Sequence, residues 1–105
     1  MKIIETQIFT KRITSLLTHE DYRNFQNELI INPEKGNIIR GSGGLRKIRW
    51  SIEGKGKSGG VRIIYCWLKE REIILLLFVY KKNEYEDLTN QQIKLLKSIV
   101  EKELK

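Results

Sequence analysis

Residues 45–80 read "LRKIRWSIEGKGKSGGVRIIYCWLKEREIILLLFVY". Three runs rich in β-branched, aromatic and aliphatic residues, "LRKIRWSI" (45–52), "VRIIYCWL" (61–68) and "IILLLFVY" (73–80), stand between a glycine–lysine stretch and the polar turn "KERE" (69–72). That pattern predicts three successive strands, and connections this short make neighbouring strands antiparallel. The third run is apolar without alternation, so its strand is expected to be covered on both faces and central in the sheet.

Outward from this block the period changes. Upstream, "KIIET" reads as a first strand, and "FTKRITSLL" places Phe9, Ile13, Leu16 and Leu17 at helical spacing. Thr18 is the expected N-cap of a second helix, with Asp21 three residues on, and Tyr22, Phe25, Leu29 and Ile30 as its apolar face. This helix should stop near Asn32, because the residue before Pro33 disfavours helical dihedrals. Downstream, Thr89 with Gln92 forms a capping box, and Ile93, Leu96, Val100 and Leu104 make one helical stripe. The expected order is strand, helix, helix, three strands, helix. This is an α+β domain in which an antiparallel sheet is flanked by two N-terminal helices and a C-terminal helix.

The chain is 105 residues long, which suits one domain spanning 1–105 with a single core. No apolar run reaches the roughly 18 residues that cross a bilayer, and "MKIIETQIFTK" lacks the apolar stretch of a signal peptide. One cysteine, Cys66, allows no internal disulfide, so a reduced cytoplasmic setting is expected.

The net charge of +7 is unevenly placed. Residues 1–39 balance, and residues 63–105 carry a single excess positive charge. Residues 40–62 hold Arg40, Arg46, Lys47, Arg49, Lys55, Lys57 and Arg62 against Glu53 alone. A concentrated excess of this kind is the footprint of a polyanion site, whereas a merely solvated surface would spread it.

Within that segment Gly56-Lys57-Ser58 matches the end of a phosphate-binding loop, but Ser51 stands where the motif needs its first glycine. The motif also needs a helix to follow, so that backbone N–H groups converge on the phosphates. "GGVRIIYCW" starts a strand instead. Nucleotide binding is therefore rejected, and the segment reads as a cationic hairpin tip. No cofactor is expected.

Alternation along "LRKIRWS" sends Lys47 and Arg49 to one face and Arg46, Ile48 and Trp50 to the other. Arg62 follows the glycines, and Lys81 and Lys82 follow the third strand. Antiparallel pairing is expected to gather Lys47, Arg49, Arg62 and one of these two lysines into a common patch. Other catalytic groups are missing. His19, the single histidine, reads as a helix-start surface residue, and Cys66 as core. No carboxylate cluster lies near the basic segment, so no metal site is expected. Arginines and lysines alone stabilise the extra negative charge of a pentacoordinate phosphate, and RNA supplies its own nucleophile in the 2′-hydroxyl. Trp50 and Trp67 read as core, while Tyr85, in a polar stretch, is a candidate to stack on bases.

The stretches "GSGGLRKIRW", "GKGKSGGVRIIYCWL" and "ILLLFVYKKNEYEDLT" resemble the RelE/ParE superfamily of bacterial toxins, specifically its HigB-type branch. The resemblance runs from Tyr22 into the last helix and rests on a fixed order of glycine pair, basic strand, glycine–lysine loop, arginine and Tyr-x-Lys-Asn-Glu. It implies an mRNA endonuclease that acts on translating ribosomes, and a cognate antitoxin that silences it. Carried over residue by residue, the basic pair falls on Lys47 and Arg49, the transition-state arginine on Arg62, and the basic residue after the third strand on Lys82. Lys55 and Lys57 are additional to the shorter RelE loop and imply contact with ribosomal RNA; Arg46, Lys81 and Tyr85 complete the implied RNA surface. Tyr85 stands near a tyrosine or histidine that some relatives use, without aligning with it. Two other readings share the features above. One is a ParE-like inhibitor of DNA gyrase, which generally lacks the basic set; the other is a non-catalytic RNA-binding domain.

Overall fold

The computed structural model describes residues 1–51 and 60–104. The chain runs β1 (Lys2–Glu5), α1 (Gln7–Leu16), α2 (His19–Ile31), β2 (Asn37–Ile38), β3 (Leu45–Trp50), β4 (Val61–Leu68), β5 (Ile73–Lys81) and α3 (Asn90–Leu104). The α+β order expected from the sequence is present, with one addition, the two-residue strand β2.

Local chemistry sets the helix boundaries. Thr6 and Thr18 cap α1 and α2, their hydroxyls accepting from Phe9 N and Asp21 N. Helix α2 ends with Asn32 as its C-cap, ahead of Pro33. Thr89 and Gln92 exchange both bonds of the capping box, Thr89 N donating to Oε1 of Gln92 at 2.8 Å and Gln92 N to Oγ1 of Thr89 at 3.1 Å. Two stripe ends are wetter than the helical spacing suggests: Ile30 is 44% exposed and Leu104 is 43% exposed, each in the last turns of its helix.

The five strands form one sheet in the order β1–β5–β4–β3–β2. Pairings β2–β3, β3–β4 and β4–β5 are antiparallel, as expected for strands joined by short connections. The sheet is nonetheless mixed, because β1 lies parallel to β5, with Lys2 opposite Ile73 and Glu5 opposite Leu76. Strand β4 is therefore the middle strand. Strand β5 lies between β4 and β1 and is covered on both faces, as its unbroken apolar run required.

The two faces take different helices. Phe9, Ile13 and Leu17 from the α1 region and Phe25 and Leu29 of α2 pack on Ile48, Val61, Ile63, Tyr65, Ile74, Leu76 and Val79. On the opposite face, Leu96 and Val100 of α3 pack with Leu45, Ile64, Cys66, Leu75, Leu77 and Tyr80. Alternation along β3 and β4 follows this division residue by residue.

Strand β5 breaks the alternation once. Tyr65 opposes Leu76 and Ile64 opposes Phe78, leaving Leu77 without a partner, which is a β-bulge. Thr6, already the cap of α1, donates its hydroxyl to Leu77 O at 2.8 Å and so ties the first strand to the bulge.

Candidate functional site

Residues directly opposed in an antiparallel pair share a face of the sheet. Arg49 opposes Arg62, and Arg62 opposes Tyr80. These three side chains thus form one row across β3, β4 and β5, on the face that carries Ile64 and α3. One step along the same face, Lys47 stands opposite Ile64 on β4 and Asn37 on β2. The register therefore brings Lys47, Arg49 and Arg62 together, because all three occupy like positions in the alternation.

The row is unusual in its electrostatics. Arg62 is only 8% exposed, and among the described residues no carboxylate lies within ion-pair distance of it. Lys47 pairs instead with Asp87, Nζ to Oδ1 at 3.1 Å. Tyr80 is fully buried, and among the described residues its Oη has no hydrogen-bond partner. Burial pushes the Tyr80 phenol pKa up and nearby Asp87 adds to this, while Arg62 and Arg49 pull it down.

Beside the row lies a groove of about 700 Å³ lined by Lys35, Asn37, Arg40, Lys47, Arg49 and Asp87, among others. Two turns shape its wall. In the first, Gly41, Gly43 and Gly44 have φ of 75°, 72° and 114°, values that side chains rarely tolerate. Buried Ser42 closes that turn, donating to Ile39 O at 2.6 Å and accepting from Leu45 N at 3.0 Å. In the second, the Tyr65 hydroxyl donates to Pro33 O and accepts from Gly36 N, both at 2.8 Å. Arg46 reaches the same turn from β3, donating to Gly36 O at 2.7 Å and Glu34 O at 3.0 Å. The groove thus has rigid walls and a cationic lining.

Among the described residues, no group of three or more His, Cys, Asp or Glu side chains is placed to hold a metal ion. What the arrangement offers is fixed positive charge beside an open groove. Such an arrangement has the chemistry to bind a phosphate and to stabilise added negative charge upon it.

Comparison with known families settles where this fold belongs. The family model for the RelE toxin of the RelE/RelB toxin–antitoxin system matches residues 1–105. The chain belongs to the RelE toxin family.

Solved RelE structures carry the same fold. A double arginine-to-alanine mutant of Escherichia coli toxin RelE in the free state superposes with a TM-score of 0.60 at 20% identity, covering 80% of this chain and 85% of that one. The intact E. coli RelBE toxin–antitoxin complex gives 0.57 at 19% identity, over 75% and 93%. The RelE mutant bound to an antitoxin RelBc peptide gives 0.57 at 18% identity, over 84% and 94%.

In this RelE-family toxin the remaining residues singled out from sequence are scattered. Arg46 lies on the α1/α2 side, committed to the Glu34–Gly36 turn rather than to the groove. Lys81 lines a separate hollow with Arg12, Ser15 and Glu84 near α1. Lys82 is exposed in the turn after β5. Tyr85 is 37% exposed, its ring meeting Tyr80 edge-on at 5.5 Å between centroids and Phe78 at 6.2 Å. Lys55, Lys57 and the glycine–lysine hairpin tip lie outside the described residues.

Three expectations about bystander residues hold. His19 is exposed at the start of α2, Cys66 is buried with its thiol pKa pushed up by burial, and Trp50 packs edge-on against Phe25 at 5.5 Å. The toxin's groove also holds residues that sequence reasoning passed over. Lys35 and Asp87 belong to locally balanced stretches and gave no signal. Arg40 was visible only as part of the charge excess. Tyr80, which stands in the row rather than in the groove, read from sequence as an aromatic flanking Lys81 and Lys82 at the end of an apolar strand, with no link to Arg62.

Proposed function

We propose that this toxin is a ribosome-dependent mRNA interferase that cleaves RNA by metal-independent attack of a 2′-hydroxyl on the adjacent phosphate. The 2′-oxygen bonds to phosphorus, the P–O5′ bond breaks, and the products are a 2′,3′-cyclic phosphate and a 5′-hydroxyl. The proton lost by the 2′-hydroxyl is matched by one gained at the leaving oxygen.

One observation carries this reading. Arg62, a residue only 8% exposed, is aligned with Arg49 and Lys47 beside a cationic groove, with no acid of its own among the described residues. A cation held without its counter-ion is costly in a free protein, and it is preorganised for an anion that arrives. In this reading Arg62 stabilises the phosphorane, Lys47 and Arg49 hold the scissile phosphate and share the proton transfers, and Lys82 neutralises the leaving oxygen. Lys55, Lys57 and Tyr85 form the wider RNA surface, with the two loop lysines on ribosomal RNA, while Arg46, tied to the Glu34–Gly36 turn, and Lys81, in the hollow near α1, take no part in it. The HigB-type assignment within the family rests on motif spacing alone. Similarity to the E. coli RelBE complex supports a cognate antitoxin as partner, and dependence on ribosomes implies action in the cytoplasm.

The test is brief induction followed by mapping of mRNA ends in translated and untranslated messages, repeated with Arg62→Ala. Cleavage confined to translated messages and lost in the variant is the expected result. Intact mRNA with DNA damage would point to gyrase inhibition, and intact mRNA with stoichiometric RNA binding to a non-catalytic module. Either outcome would overturn the proposal.

A further inference from the structure

The roles just assigned leave one member of the basic row idle. Tyr80 stands directly opposite Arg62, its side chain is fully buried, and its Oη is a donor without an acceptor among the described residues. The other tyrosine hydroxyls of the core are all used. Tyr65 makes two hydrogen bonds to the Pro33–Gly36 turn, and Tyr22 donates to Glu5. A phenylalanine at position 80 would keep the contacts with Phe78 and Tyr85 and avoid burying an unsatisfied hydroxyl. Packing alone therefore gives no reason for the oxygen.

The surroundings supply one. Arg62 and Arg49 follow Tyr80 in the row, and Arg49 lines the cationic groove. Asp87 and Tyr85 stand over this end of the sheet on the segment between β5 and α3; Asp87 is paired to Lys47, and Tyr85 lies edge-on to Tyr80. The Asp87 side chain is 79% exposed, so little holds it there beyond the ion pair. An entering phosphate competes with that carboxylate for Lys47.

We infer that the Tyr80 hydroxyl donates a hydrogen bond to the phosphate held by Arg49 and Arg62, with the Asp87 carboxylate as the group that phosphate displaces. This rests on the phosphate-binding reading of the site and adds to it a neutral donor that keeps its proton. A phenol supplies direction where the two guanidiniums supply charge.

Wild type, Tyr80→Phe, Asp87→Asn and Arg62→Ala are compared in two assays. The first is thermal melting titrated with inorganic phosphate. The second is single-turnover mRNA cleavage on programmed ribosomes at saturating toxin. Tyr80→Phe is expected to melt at or above the wild-type temperature without phosphate, and to bind phosphate on the order of ten- to a hundredfold more weakly. Its cleavage rate should fall by a similar factor, with the half-saturating ribosome concentration unchanged. Asp87→Asn should bind phosphate more tightly than wild type. Wild-type phosphate binding and cleavage in Tyr80→Phe, with both lost in Arg62→Ala, would overturn the inference and leave the interferase reading intact. If wild type does not cleave yet its phosphate-dependent stabilisation requires the Tyr80 hydroxyl, the interferase reading fails and the inference stands.

Discussion

Replacing Tyr65 by phenylalanine isolates two hydrogen bonds that shape the groove. The ring is fully buried on the α1/α2 face of β4, and phenylalanine fills the same volume. Only the hydroxyl is lost, and with it the bonds to Gly36 N and Pro33 O. The Gly36 N–H is buried, so leaving it unpaired costs about 1–3 kcal/mol. The Pro33 carbonyl is part-buried and regains water, so it adds only about 0.5 kcal/mol. A loss of about 2–3 kcal/mol follows, equivalent to roughly 8–12 °C in melting temperature at about 4 °C per kcal/mol for a domain of this size. Urea denaturation at pH 7 measures it directly: the midpoint should fall with the m-value unchanged, because the same surface is exposed on unfolding. Arg46→Met removes the bonds to Gly36 O and Glu34 O from the same turn, so the double variant should be non-additive by about 0.5 kcal/mol or more. A loss below about 0.5 kcal/mol in Tyr65→Phe, additive with Arg46→Met, would refute the idea that the turn is strapped from two strands.

Three further outcomes are expected. Arg62→Met should raise stability in urea by about 1–3 kcal/mol while abolishing mRNA cleavage, since it exchanges a buried cation for an apolar chain of similar length; a destabilised variant would show that the guanidinium has a structural partner. Gly36→Ala should cost about 1–3 kcal/mol by urea melt, because the new Cβ meets Tyr65 Cε1 at 2.8 Å, its Oη at 2.9 Å and Lys47 O at 3.1 Å; a neutral result would mean that the wall of the groove yields. Glu84 has its pKa lowered below the ordinary 4.5, first by the N–H of Lys81 and then by Arg12, so it stabilises the fold above the unfolded-state value and loses that contribution as pH falls through the folded-state value. Glu84→Gln should remove this part of the acid-induced loss between neutral pH and pH 3, by about 0.5–1 kcal/mol because the pair is partly exposed and screened; an unchanged acid limb would rule the contact out as a contributor.

How much of this was legible beforehand depends on the range of the interaction. The N-cap Thr18, the stop at Asn32 before Pro33, the Thr89–Gln92 box and the turn at 69–72 are all set within a few residues. Their free energies are decided locally, so sequence displays them. The common face of Lys47 and Arg49 is likewise a matter of alternation along a single strand. So is the charge excess of residues 40–62, which pointed to an anionic partner before any contact was known.

The rest depended on which chains of atoms meet. Parallel pairing of β1 with β5 joins residues some seventy positions apart, and no local pattern marks it. The same is true of the division of helices between the two faces, which set Arg46 against a turn and left Lys47 at the groove. Tyr80 shows the difference most clearly. Unbroken alternation along β5 would have put it with Ile74 and Leu76 under α1 and α2. The bulge at Leu77, tied down by Thr6, reverses the phase and turns Tyr80 toward Arg62. Sequence alone determined every element but β2, the caps Thr18 and Thr89, and the place where positive charge collects, because each follows from neighbours in the chain. Tertiary structure decided which side chains share the site, because one unpaired residue in a strand shifts every side chain beyond it to the other face.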